Sequence, residues 1–168
     1  IIAYFGVQFV SQAAPPTNEF ILAQFTQADG SDKHTLNVII QSGTVKVKDN
    51  NGGAVLGSLS IDTSTNGVEV LVFFKADKAT VYARLMTRAA DVNWSAVCSN
   101  ASVSDSGTGT CEVKFGHIAS STAESKWYFF HYTSDEYAGA TPYSSGFTNP
   151  DDLLGFPFNT ISSSWVDD

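Results

Sequence analysis

Two short loops of this chain, Asp29-Gly30-Ser31-Asp32 and Asp49-Asn50-Asn51, are rich in side-chain oxygens. Calcium takes about six to eight oxygens from such loops, so Asp29 and Asp32 are the candidate metal ligands and calcium the one candidate cofactor. The same residue types are those that tight turns use for their own backbone, and turn chemistry explains both loops without an ion. His34, His117 and His131 lack metal-ligand spacing, which suits capping or core roles. Asp135 and Glu136 are sequence neighbours that an extended backbone would point in opposite directions, so they do not form the carboxylate pair of a glycosidase. No H-E-x-x-H, P-loop, G-x-S-x-G or C-x-x-C pattern occurs, and no residue is assigned a catalytic role.

Other side chains point to binding and covalent chemistry. Trp127, Tyr128, Phe129, Phe130, Tyr132, Tyr137 and Tyr143 form an aromatic series beside carboxylates. Packing claims Trp127 to Phe130 first, which leaves Tyr132, Tyr137 and Tyr143 as the rings for a sugar or a protein partner. Cys98 and Cys111 flank the Ser/Thr/Gly-rich stretch SNASVSDSGTGT, and a disulfide closing that hairpin is expected, worth about 3 kcal/mol in the loop-entropy model. Two buried thiols are the alternative. Asn93-Trp94-Ser95 and Asn100-Ala101-Ser102 match the N-glycosylation acceptor pattern. With the cysteines, they favour an outer surface, of a cell or a virion, over the cytosol.

The elements that must position these residues are strands. Val68 to Met86 reads as a central hairpin: Val68, Val70, Val72 and Phe74 form one apolar row, Leu71 and Phe73 a second row on the opposite face. Lys75-Ala76-Asp77-Lys78 turns it, and Thr80 to Leu85 resume β-forming character. Around it, strands are expected over Ile1–Val10, Glu19–Gln27, His34–Gln41, Thr44–Asp49, Ala54–Ile61, Val92–Cys98, Cys111–Ile118 and Lys126–Thr133, with Ile161–Val166 as a closing strand. Val45 and Val47 alternate with Lys46 and Lys48, the pattern of one face in the core and one in water. About ten short strands with scarcely a helical period specify an all-β domain. Residues 1–168 are expected to form one domain, with 134–168 as an irregular segment packed on it, because Tyr137, Phe147, Leu153, Phe156 and Phe158 need burial.

Charge narrows the partners. The net charge is -8; residues 1–126 hold eleven acids against nine bases, whereas 127–168 hold six acids and no base. That balance argues against nucleic acid, whose backbone is met by clustered Lys and Arg. Ile1–Val10 is too short for a bilayer, which needs about 20 helical residues, and no membrane span is expected.

The succession HTLNVIIQSGTVKVKDNNGGAVLGSLSI followed by GVEVLVFFKADKATVYARL resembles the concanavalin A-like jelly-roll sandwiches, laminin-G-like domains in particular. The resemblance covers roughly residues 1–132 and implies a two-sheet antiparallel jelly-roll. It implies a non-catalytic adhesive or structural module, with carbohydrate the favoured ligand. A virion decoration, fibre or filament subunit is the first alternative, with neighbouring protein subunits as partners and a homo-oligomer docked through the N-terminal strand. A carbohydrate-active enzyme is the second.

Overall fold

The structure, a computed structural model, describes residues 1–9, 18–29, 31–61, 67–86, 93–116, 125–133 and 159–160. They form eleven antiparallel strands: β1 (Ile2–Phe9), β2 (Phe20–Asp29), β3 (Asp32–Gln41), β4 (Thr44–Asp49), β5 (Val55–Ser60), β6 (Gly67–Lys75), β7 (Lys78–Met86), β8 (Ser95–Ser102), β9 (Glu112–Phe115), β10 (Ser125–Thr133) and β11 (Asn159–Thr160). Two sheets result, ordered β11-β10-β1-β6-β7-β8 and β5-β4-β3-β2-β9. This is the two-sheet antiparallel sandwich expected from the strand pattern.

Alternation decides which face each strand buries. Ala3, Phe5, Val7 and Phe9 of β1 and Val68, Val70, Val72 and Phe74 of β6 meet Leu36, Val38, Ile40, Val45 and Val47 of the opposite sheet in one core. Leu71 and Phe73 face the other way and are nevertheless fully buried, in a small second cluster with Ile2, Tyr4, Tyr82 and Trp94. The central hairpin therefore carries apolar rows on both faces, as its sequence requires.

The two open sides of the sandwich are closed differently. On one side β5 approaches β8 at Gly57, where any Cβ would run into the Val97 carbonyl and Cys98 Cβ. On the other, Phe115 of β9 stacks on Phe130 of β10 at 4.2 Å between ring centroids, with Trp127 at 5.9 Å from Phe115.

Three expectations are corrected. Cys98 and Cys111 are free thiols rather than a bridge. The stretch between them is not a hairpin within one sheet: β8 carries Cys98 in the six-stranded sheet, whereas Cys111 precedes β9 of the other. Cys98 is buried and directed towards the Ala79 carbonyl, while Cys111 is exposed beside Gln27 and Ala28. The N-terminal strand has no free edge for docking a second copy, since β1 pairs with β6 on one side and β10 on the other. Finally, the aromatic strand does not bury Trp127 to Phe130 together. A register shift between Gly6 and Val7 turns Trp127 and Phe130 to the core, Phe129 to the outer face, and leaves Tyr128 47% exposed. The expected segment 134–168 and its closing strand lie outside the described residues, apart from Asn159 and Thr160, which pair with Tyr132 and His131.

Candidate functional site

The outer face of the six-stranded sheet carries the most chemically varied side chains. Strand registers set them in rows: His131, Tyr4, Leu71 and Tyr82 run across β10, β1, β6 and β7, and Phe129, Gly6, Glu69 and Arg84 form the adjacent row. Directly opposed positions on one face bring side chains into contact, so Glu69 and Arg84 meet as a charge pair. Arg84 Nε lies 2.5 Å from Glu69 Oε2, and the guanidinium stands 4.3 Å from the centre of the Trp94 ring. Both members are largely shielded, with 22% and 14% of their side chains exposed, which makes this pair less screened than a surface one.

Rings extend the cluster. Tyr4 meets Trp94 edge-on at 6.0 Å, Phe129 at 4.5 Å and His131 at 6.5 Å. Gly6 makes the second of these contacts possible, because a Cβ there would stand 2.8 Å from the Phe129 ring. Burial, with the charge of Glu69 beside it, pushes the Tyr4 phenol up to about 12. Burial also works to lower the Arg84 pKa, but the hydrogen bond and charge of Glu69 overcome it and leave it raised. The cluster thus combines ring faces, a phenol and a fixed ion pair. Such a set can stack against C–H surfaces and exchange hydrogen bonds with hydroxyls, while the Glu69 carboxylate is already committed to Arg84.

The residues singled out from sequence fall elsewhere. Tyr132 turns to the core side of β10 and packs half-buried against the main core, its ring 6.4 Å from that of Phe130. Tyr137, Tyr143, His117, Asp135 and Glu136 lie outside the described residues. The backbones of Asp29 and Asp32 pair at the end of the β2–β3 hairpin, and Ser31 Oγ donates to Asp32 Oδ1 at 2.9 Å. Among the described residues no three His, Cys, Asp or Glu side chains are grouped as a metal site. Asn93 and Asn100 are both exposed. Asn100 sits where β8 bulges against Thr80, with φ at 48–50° like Ser42 and Ala76, a left-handed conformation Asn tolerates better than most residues. That backbone demand accounts for an Asn at this position independently of its acceptor motif.

The Asp49-Asn50-Asn51 loop serves the fold. Asp49, 2% exposed, accepts the Asn51 and Ser104 backbone N–H groups, both at 2.9 Å. Asn50 joins Gln24 and Asn37 in a side-chain amide network on the outer face of the five-stranded sheet, with Asn37 Nδ2 donating to Asn50 Oδ1 at 3.0 Å.

Sequence reasoning missed Tyr4, Glu69, Arg84 and Trp94, although one signal was available. The two-residue turn Ala76-Asp77 pairs Lys75 with Lys78, and counting back along both strands places Glu69 opposite Arg84. Comparison with family models, curated proteins and solved structures finds no match. No helix among the described residues is long and apolar enough to cross a membrane.

Proposed function

We propose that this chain is a non-catalytic module displayed on an outer surface, where it binds carbohydrate through the outer face of its six-stranded sheet. The cluster of Tyr4 and Trp94 around the Glu69–Arg84 pair carries the reading. Leu71 and Phe73 at the middle of this face are fully buried, so the reading rests on its half-exposed margin, where amphipathic rings beside a fixed ion pair suit a half-wet surface that meets ring C–H groups and hydroxyls together. The free cysteines withdraw one of the two arguments for an oxidising compartment, so display on an outer surface rests on the Asn93 and Asn100 acceptor motifs.

A glycan array followed by calorimetry on the best ligand tests the proposal. Trp94→Ala should weaken binding by about 1–3 kcal/mol, the range for truncating a central aromatic anchor, with the β circular-dichroism spectrum retained. An array without a ligand, or an unchanged Kd for Trp94→Ala, overturns it.

A further inference from the structure

The chain contains two Asn-Gly pairs, Asn51-Gly52 and Asn66-Gly67. This dipeptide has a chemistry of its own, because glycine has no Cβ to shield its backbone nitrogen, which can attack the side-chain amide of the asparagine before it. The fold puts the two glycines in opposite surroundings. Gly52 lies in the β4–β5 turn, closed by Asp49 N–H on the Ala54 carbonyl, where Asn51, Gly52 and Gly53 are all exposed. Its φ is +77°, and beyond its chain neighbours no atom stands within 4 Å of where a Cβ would be. Gly67 is buried as the first residue of β6, in register with Met86 of β7. Phe74 and Ile1 exchange reciprocal backbone bonds, which assigns Phe74, Val72, Val70 and Val68 to β1, so Gly67 N–H points the other way, at β7. A Cβ on Gly67 would run into Met86 Cε and the Val7 carbonyl. Asn66 itself lies outside the described residues.

We propose that Asn51 is a self-deamidating site, at which the folded chain replaces an amide by a carboxylate, while the β6 ladder that holds Gly67 suppresses the same reaction at Asn66. The Gly52 nitrogen bonds to Asn51 Cγ, the Cγ–Nδ2 bond breaks, and Nδ2 leaves as ammonia with the proton of Gly52 N–H. The resulting succinimide takes up one solvent water. Opening at Cγ restores the ordinary peptide link and leaves aspartate; opening at the backbone carbonyl leaves isoaspartate, with the chain rerouted through the side chain. In the parent, Asn51 Nδ2 donates to the Asp105 carbonyl at 2.7 Å, tying the β4–β5 turn to the connection between β8 and β9, and Asn51 N–H donates to buried Asp49 Oδ1. A carboxylate at position 51 has no proton to offer that carbonyl and sets a negative charge close to Asp49 and Asp105, so the reaction cuts the tie and makes an acidic chain one charge more negative. Asn51 must let go of the Asp105 carbonyl to react, which requires local opening of an exposed turn, whereas Asn66 requires Gly67 to leave a buried ladder position.

Peptide mapping by mass spectrometry of the full chain, aged in mildly alkaline buffer, tests the site, with enzymatic methylation of isoaspartate as a second readout. In the folded protein the Asn51 peptide should gain one dalton and isoaspartate label at least about tenfold faster than the Asn66 peptide, while in denaturant the two should convert at rates within about twofold of each other. A more acidic species should grow in step on anion exchange. Asn51→Gln, whose attack must close a larger ring, should abolish that species and leave Asn66 unchanged. Equal rates at the two sites in the folded protein, or an Asn51 that stays intact over a period that converts it fully in denaturant, overturns the proposal.

Discussion

At the scale of the residue, the two cysteines show how one residue type acquires opposite properties from its surroundings. Burial pushes the Cys98 thiol up to about 11, because a thiolate there would lack solvation. Cys111 stands exposed. A thiol-specific reagent at pH 8 should therefore label one cysteine per native chain, Cys111, and two per chain in denaturant; absence of labelling in denaturant would restore the disulfide. The pairing was misread from sequence because flanking a Ser/Gly-rich stretch looks the same whether the flanks share a sheet or face each other across a sandwich. Tyr132 was misread for a related reason. Its side depends on a register shift opposite β1, and a bulge leaves no mark in the residues of β10 itself.

At the scale of the element, legibility followed hydrophobic alternation. The β6–β7 hairpin, β4 and β3 each carry an apolar row at every second residue, and their observed bounds lie within two residues of those expected. β8 did not alternate: its last four residues, Ser99 to Ser102, are polar or small, so they read as part of a loop, yet they continue the strand past a bulge. Their place is set by β7, which supplies the Thr80 hydroxyl to Asn100 N–H at 2.9 Å. Tertiary pairing overrode weak local preference there. Gly57 carries the closest approach between the edges β5 and β8, and its backbone φ is not the reason a glycine is needed. Gly57→Ala should cost about 1–3 kcal/mol by overpacking, read as a lower urea midpoint with unchanged m-value; a midpoint equal to the parent's would show that the β5–β8 seam yields without cost.

At the scale of the whole molecule, sheet membership was the part that composition could not show, since crossing from one sheet to the other depends on which strands share a core rather than on any single strand. The placement of β1 illustrates this. As an apolar segment rich in β-forming residues it was legible as a strand, and either a neighbour's sheet or its own would have satisfied it. The structure places it third in its own six-stranded sheet, with Gly6 in register with Glu69 on one side and Phe129 on the other. It also sends Phe5, Val7 and Phe9 into the main core, where Phe5 stacks on Phe130 at 5.5 Å and Phe9 meets Phe20 edge-on at 5.2 Å. Removing it would split β10 and β11 from the rest of the sheet and open a cavity along both layers, whose cost per large side chain is about 3–5 kcal/mol for Phe alone. A typical domain holds only about 5–15 kcal/mol in total. Deletion of residues 1–9 should therefore abolish the folded state, seen as loss of the cooperative thermal transition; a truncated chain that remains folded and monomeric would mean that β1 is an accessory strand, free after all to pair with another copy.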